Sequence, residues 1–159
     1  MAKKAKDNNS LPIYILNGPN LNLLGTREPA TYGTATLADV EQTCRTVAAE
    51  FGWNLDFRQT NFEGELVDWI QQAGAAQRSG ELVGVVLNAG AYTHTSIALA
   101  DAISGSDVRV IEVHITNVHQ REAFRHHSYV SPVAAGIIIG VGVAGYPLGL
   151  RALHALTDG

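Results

Sequence analysis

The fold of this chain is decided first by the stretch LPIYILNGPN, residues 11–20. Its first six residues are mostly apolar and suit a strand, and its last four contain the glycine and proline that are typical of a turn. Further on, Thr36 and Asp39 resemble a capping box, and apolar residues then recur at helical spacing until Gly52. A strand, a polar loop and a helix are therefore predicted in succession.

The same alternation of strand and helix patterns continues along the chain. Trp53, Leu55 and Phe57 alternate with polar residues as a half-buried strand does, and a second amphipathic helix surrounds Leu66 to Ala73. Three further apolar runs suit strands that are covered on both faces: Leu82 to Leu87, Val108 to Val113, and Ile137 to Val141. Helices are predicted near Ser96 to Ile103, Arg121 to Arg125, and Pro147 to Leu156.

Repeated strand–helix units imply parallel strands that are joined by right-handed crossovers. We therefore predict a flavodoxin-like α/β fold, in which a doubly wound, five-stranded parallel sheet forms the middle of three α/β/α layers. Five strands are too few for a (β/α)₈ barrel. The 159 residues suit one domain over 11–159, preceded by a flexible N-terminal tail over 1–10.

Composition argues against several classes of protein. A net charge of −4 without a basic patch disfavours nucleic-acid binding. The longest apolar run, Val133 to Gly145, falls well short of the roughly 20 residues that cross a bilayer, and residues 1–10 do not read as a secretory signal. We expect a cytoplasmic protein without a membrane partner, whose single cysteine, Cys44, is a buried thiol on an apolar helix face.

Two motifs suggest a cofactor or a metal, but neither has its required context. Gly140, Gly142 and Gly145 match the dinucleotide fingerprint, yet too few residues follow for the second strand and the acidic residue about 20 positions on. Close packing of the last strand and helix explains the glycines better. The six histidines include no HExxH pattern and are interleaved with arginines, which would repel a metal cation. We therefore expect no cofactor and no metal.

Polar residues follow three of the predicted strands, at the edge where open α/β sheets bind ligands. Glu112 and His114 are two apart on a strand, so they share a face and the carboxylate can orient the imidazole, as suits a general acid. The alternative is a structural histidine whose hydrogen bonds are all made inside the core. The glycine-containing stretch Asn17 to Tyr32 suits a lid or binding loop, and a plain solvated connection is its alternative.

These residues together resemble the type II 3-dehydroquinate dehydratases of the shikimate and quinate pathways. The motifs that carry the resemblance are NGPNLNLLGTREP (17–29), YG (32–33), NAG (88–90), THTS (93–96), IEVHI (111–115), NVH (117–119) and RHHSY (125–129). They cover about residues 11 to 157 in the order of the family. The resemblance implies dehydration of 3-dehydroquinate to 3-dehydroshikimate by anti elimination through an enolate, without metal or cofactor, in a homododecamer built as a tetramer of trimers.

The resemblance also implies catalytic roles. Tyr32 is the base that takes the C2 proton, and Arg27 on the lid supports it electrostatically. His114 is the acid that protonates the departing C1 hydroxyl, with Glu112 as its partner. Asn20 positions a water near the enolate oxygen.

The residues implied to hold the substrate's hydroxyls and carboxylate are Asn88, His94, Ile115, Thr116 and Arg125. Asp101 is implied to reach the site of a neighbouring subunit. Ala100, directly before it, departs from the arginine that is common in the family, which puts salt links between subunits in doubt.

This chemistry is physically coherent. A proton beside a ketone is weakly acidic, so an enolate needs preorganised donors, and loss of a hydroxyl needs a proton donor. A tyrosine base needs a cation beside it, which Arg27 supplies, with Arg121 as a possible second. The guanidinium fork of Arg125 suits a carboxylate. We expect residues 17–20 to form the floor of the pocket and Leu23 to Tyr32 a lid that is poorly ordered without ligand.

Two other classes of function are compatible with the fold alone: a nucleotide- or phosphate-binding module, and a metal-dependent hydrolase. The first lacks a GK[ST] phosphate loop after its first strand.

Overall fold

The computed structural model describes residues 11–158, and the tail predicted over residues 1–10 lies outside them. The five strands are β1 (Pro12–Asn17), β2 (Asn54–Gln59), β3 (Val85–Asn88), β4 (Val110–His114) and β5 (Gly136–Ile139). All neighbouring pairs are parallel, and the strand order is β2-β1-β3-β4-β5. The flavodoxin-like fold is thus confirmed, and the winding direction reverses between β1 and β3, where such sheets open a crevice for ligands.

Helices cover both faces of the sheet. They are α1 (Pro29–Tyr32), α2 (Leu37–Glu50), α3 (Glu63–Arg78), α4 (Ile97–Ser106) and α5 (Gly145–Thr157). Helix α2 packs beside α5 and α3 beside α4, which gives the two outer layers. The predicted capping box at the start of α2 is confirmed, because Thr36 Oγ1 accepts from the Asp39 amide at 3.2 Å and an Asp39 carboxylate oxygen accepts from the Thr36 amide at 2.9 Å.

The core consists of two apolar clusters, one on each face of the sheet. Ile13 and Ile15 of β1 belong to one cluster and Leu16 to the other, as the alternation of side chains along a strand requires. Cys44 is fully buried, as predicted, and burial, with the charge of Glu41 adding, raises the pKa of its thiol to about 12. It therefore stays protonated and inert near neutral pH.

Three elements differ from the sequence-based prediction. The segment Arg121 to Arg125 is not an α-helix: its Arg121 carbonyl accepts a hydrogen bond from the His126 ring at 3.0 Å, one 3₁₀ turn precedes it, and another covers its last three residues. Strand β5 is not covered on both faces, since it pairs only with β4 at the sheet edge and leaves Ile137 46% exposed. The loop after β1 contains a 3₁₀ turn and α1 rather than irregular chain alone.

Among residues 11–158 no helix is both long enough and apolar enough to cross a bilayer.

Candidate active site

A cleft opens at the carboxyl ends of β1, β3 and β4, at the reversal point of the winding. The cleft is partly open to solvent, and its wall combines apolar residues with several polar and charged ones, as small-molecule sites do. The structure brings nine of the predicted site residues to its wall: Asn20, Arg27, Tyr32, Asn88, His94, His114, Ile115, Thr116 and Arg125. Side chains from four separate parts of the sequence thus meet where the strand ends converge.

The floor of the cleft is the turn after β1, and it lies directly against the turn after β3. The Gly18 amide donates to the Asn88 carbonyl at 2.8 Å. A Cβ at Gly18 would lie 2.3 Å from the Ala89 carbonyl oxygen, closer than any side chain tolerates. Only glycine lets the two turns approach this closely.

Asn20 stands on this floor in a left-handed backbone conformation, with φ 66°. The backbone N–H of Asn20 donates to Asn61 Oδ1 at 3.0 Å. The side-chain amide of Gln59, at the end of β2, donates to the same oxygen at 3.1 Å and to the Gly18 carbonyl at 3.2 Å. Left-handed backbone is unfavourable for most residues, although asparagine tolerates it. The end of β2 therefore holds Asn20 in place, a contribution that sequence reasoning did not foresee.

Tyr32 lies half-buried at the end of α1, between two arginines. Arg121 Nη1 donates to the Tyr32 hydroxyl oxygen at 2.8 Å. The guanidinium carbons of Arg27 and Arg121 lie 5.3 and 5.4 Å from the centre of the tyrosine ring. Two positive charges this close to one phenol favour negative charge on it, which suits a group that accepts a proton.

Glu112 lies beneath the opposite wall and is only 1% exposed. Its carboxylate accepts hydrogen bonds from His114 Nε2 at 2.6 Å, Thr93 at 2.8 Å and Ser128 at 2.7 Å, all on Oε1, and from the Ser131 hydroxyl on Oε2. Burial favours the neutral acid, but the bonds from His114, Ser128 and Ser131 outweigh it and lower the pKa of Glu112 to about 2. The carboxylate is therefore ionised at neutral pH.

An ionised Glu112 fixes the proton positions on His114. A carboxylate can only accept, so the His114 Nε2 that faces it carries a hydrogen. The other ring nitrogen, Nδ1, is then the one that gains or loses a proton. Because His114 also lines the cleft, Nδ1 is the atom available for proton exchange with a ligand.

His94 stacks above His114, with the ring centres 6.3 Å apart. Its Nδ1 lies 2.8 Å from the His127 carbonyl oxygen, which can only accept, so Nδ1 carries the hydrogen. Burial lowers the pKa of His94, and the nearby charges of His114 and Arg125 lower it further, against the opposing effects of the His127 carbonyl and Glu112. A neutral His94 has Nε2 free of hydrogen and able to accept from a ligand hydroxyl.

Arg125 and Thr116 supply further polar groups to the wall. Arg125 uses Nε to bond Glu122 at 2.9 Å, which orients the guanidinium while its terminal nitrogens can bind an anion. Thr116 Oγ1 lies 3.5 Å from Arg121 Nη1. The Ile115 side chain is buried in the core, so a ligand in the cleft would meet this residue through its backbone.

Two predicted residues do not line the cleft. Glu112 lies behind His114 and accepts a hydrogen bond from its ring. Asp101 is exposed on α4, and its predicted contact with a neighbouring subunit stays a prediction.

Sequence reasoning assigned no role to the hydroxyls of Thr93, Ser128 and Ser131, which bond Glu112. Two of them fall within the motifs THTS and RHHSY, so their concentration of hydroxyl groups was the available signal. Within residues 11–158 no three His, Cys, Asp or Glu side chains are grouped so that they could hold a metal ion. A Cβ at Gly140 would touch Asn117, and one at Gly145 would touch Val113, which supports a packing role for those glycines.

Comparison with known proteins gives consistent matches. Residues 11–154 match the family described as dehydroquinase class II, a range that contains every residue lining the cleft. The chain is 64% identical over 141 residues to a 3-dehydroquinate dehydratase of Marinomonas sp., covering 89% of this chain and 94% of the relative. It is 57% identical over 139 residues to 3-dehydroquinate dehydratase 2 of Pseudomonas aeruginosa, covering 87% and 90%. A crystal structure of type II dehydroquinase from Butyrivibrio crossotus superposes with a TM-score of 0.86 at 38% identity, covering 91% of this chain and 98% of that one.

Proposed function

This chain belongs to the dehydroquinase class II family, and from that premise we propose how its residues divide the dehydration of 3-dehydroquinate to 3-dehydroshikimate. The protein is a 3-dehydroquinate dehydratase, a hydro-lyase of the shikimate pathway. Neither the phosphate-binding module nor the metal-dependent hydrolase is supported by these matches. One observation carries the division of roles: a phenol held by Arg121 and an imidazole held by Glu112 face the same cleft.

The first step is removal of the C2 proton by the Tyr32 phenolate. The C2–H electron pair becomes the C2–C3 double bond of an enolate, and the charge moves to the C3 oxygen. Arg121 and Arg27 support the phenolate before this transfer. Asn20, held by Asn61, positions a water molecule that donates to the enolate oxygen.

The second step is loss of the C1 hydroxyl. The C3 carbonyl re-forms, the electron pair of the C2–C3 bond shifts to make the C1–C2 double bond, and the C1–O bond breaks. The Nδ1 proton of the His114 imidazolium goes to the departing oxygen, which leaves as water. Glu112 stays ionised throughout and compensates the positive charge of His114 before transfer.

The two steps draw on residues from different elements: Tyr32 comes from the α1 segment and His114 from the end of β4. In the anti elimination that we propose, this base and this acid act on opposite faces of the ring. The lid that we assign to residues Leu23 to Tyr32 would bring Arg27 and Tyr32 over the substrate.

The remaining wall residues hold the substrate in register with these groups. Arg125 binds the carboxylate through its guanidinium, and Asn88, His94, Thr116 and the Ile115 backbone bind the carboxylate and hydroxyls. Asp101 completes the site of a neighbouring subunit in a cytoplasmic homododecamer, a tetramer of trimers. Light scattering behind size exclusion tests the assembly, and a mass of one to three chains would contradict it.

The activity is tested by following the enone absorbance of the product after the enzyme has been dialysed against a chelator. Full turnover is expected, and turnover that returns only with added metal would overturn the metal-free mechanism.

The roles of Tyr32 and His114 are separated by deuterium exchange at C2 of the substrate in heavy water. The His114→Asn variant should lose dehydration yet retain exchange, since it can still form and reverse the enolate. The Tyr32→Phe variant should lose both. Exchange retained by the tyrosine variant would assign the base to another residue.

A further inference from the structure

Beneath the cleft lies a buried hydrogen-bonded chain that the catalytic steps do not use. Its centre is Tyr146 of α5, a fully buried residue. The Tyr146 hydroxyl donates to Asn17 Oδ1 at 2.7 Å and accepts from Asn88 Nδ2 at 2.8 Å. The two asparagines are the last residues of β1 and β3 and are partners in the register of the sheet. The hydroxyl therefore connects the two strand ends at the reversal point of the winding.

Backbone groups at both ends fix the direction of every bond in this chain. At one end Asn17 Nδ2 donates to the Arg58 carbonyl at 3.0 Å, so Oδ1 is the atom of Asn17 that faces the hydroxyl. At the other end the Gly90 amide donates to Asn88 Oδ1 at 3.1 Å. A carbonyl can only accept and an amide N–H can only donate. If the side-chain amide of Asn88 were rotated by 180°, its NH₂ group would face the Gly90 N–H, and two donors would meet.

The phenol suits this position for two reasons. Burial raises the pKa of Tyr146, so the hydroxyl keeps its proton and can donate to Asn17. Within residues 11–158 every buried side-chain nitrogen and oxygen has a partner, so the chain of bonds is complete. A phenylalanine would fill nearly the same core volume, so the hydroxyl contributes its hydrogen bonds rather than packing.

We propose that Tyr146 is a positioning residue that fixes the amide of Asn88, so that Asn88 presents an N–H, and not its carbonyl, to the substrate. Asn88 Nδ2 has two hydrogens; one is committed to Tyr146, and the other is left for an oxygen atom in the cleft that Asn88 lines. Asn88 thereby binds an oxygen of the ligand that accepts a hydrogen bond. His94 does the reverse, because its Nε2 accepts a hydrogen bond from a ligand hydroxyl. This inference rests on the proposed role of Asn88 in holding the substrate.

The test is a double-mutant cycle on KM with Tyr146→Phe and Asn88→Ala. Tyr146→Phe should raise KM about five- to tenfold, the value of one hydrogen bond, and change kcat less than about twofold. In the Asn88→Ala background the same substitution should leave KM unchanged, because there is no amide left to orient. Equal effects in both backgrounds would make Tyr146 a structural residue only and overturn the inference.

Two further variants keep the outcomes distinct. Asn17→Ala removes the acceptor of the Tyr146 hydroxyl, while the packing of the Tyr146 ring remains. This variant should also raise KM, as Tyr146→Phe does. Ile70→Val loosens the buried cluster on the other face of the sheet and should lower thermal stability without changing KM. If Asn88→Ala itself leaves KM unchanged, the proposed role of Asn88 fails; if it raises KM while Tyr146→Phe does not, only the positioning role fails.

Discussion

The two sides of the cleft are built in opposite ways. On the base side, Tyr32 is half-exposed on the four-residue helix α1, and within residues 11–158 its hydroxyl has one hydrogen-bond partner, Arg121. On the acid side, His114 is 7% exposed at the end of the interior strand β4, and its partner Glu112 receives four hydrogen bonds. The acid, His114, belongs to a strand of the sheet, whereas the base, Tyr32, belongs to a short helix outside the sheet.

The difference follows from what each group requires. A buried carboxylate is stable only when its oxygens are fully hydrogen-bonded, and such a network is rigid. The base lies on a partly exposed segment, and its support comes from charge, which acts over several ångströms. Closure of the proposed lid, Leu23 to Tyr32, would then move the base without disturbing the proton donor.

The largest effect is expected on the base side. Tyr32→Phe removes the phenolate and should lower kcat by about 10²–10⁴, the usual contribution of a general base. Because the ring and its packing remain, the Kd of the product should change less than about threefold, measured by fluorescence titration. Turnover within tenfold of the parent would place the base elsewhere and break the contrast between the two sides.

Glu112→Gln tests the acid side with almost no change in shape. Loss of the charge that stabilises imidazolium, and a donor amide set against several hydroxyl donors, should lower kcat by about a hundredfold. The alkaline limb of the pH–kcat profile, where the general acid loses its proton, should also move to lower pH. Glu81→Gln, an exposed carboxylate that does not line the cleft, is the matched control, and equal losses in both variants would contradict a special role for Glu112.

Glu112 should also make stability depend on pH. Its folded pKa of about 2 lies below the ordinary value of 4.5, so its contribution is complete above pH 4.5 and is lost as the pH falls toward 2. The loss is on the order of 3 kcal/mol in the free energy of unfolding. Urea unfolding at pH 6 and pH 3 should show a smaller drop in Glu112→Gln than in the parent, and identical drops would refute the assignment.

The smallest effect concerns the second cation. Arg121→Lys keeps the positive charge but loses the fixed fork that bonds the Tyr32 hydroxyl, and should lower kcat roughly tenfold. Arg121→Met should cost more than the lysine variant if charge matters beyond geometry. Equal rates for the two variants would show that only the hydrogen bond matters and would weaken the electrostatic account of the base side.

Local pattern was enough to predict the acid side. Residues two apart on a strand share a face, so Glu112 and His114 were paired from their spacing alone, and the strand–helix alternation gave the sheet and its ligand edge. Contacts between distant parts of the chain have no such spacing. The bond from Arg121 to Tyr32 spans 89 positions and that from Tyr146 to Asn17 spans 129. No periodicity in the sequence predicts these two hydrogen bonds, because they form only once the helices have packed against the sheet.

The inert Cys44 allows the proposed lid to be labelled selectively for spectroscopy. It is the only cysteine of the sequence, and its thiol is buried and protonated at neutral pH. A cysteine introduced at the exposed Ala30 of α1, as Ala30→Cys, would therefore be the one thiol that a maleimide dye modifies. The wild-type chain is itself the background for labelling, and the dye would report directly on the segment that carries Tyr32 as substrate enters and product leaves.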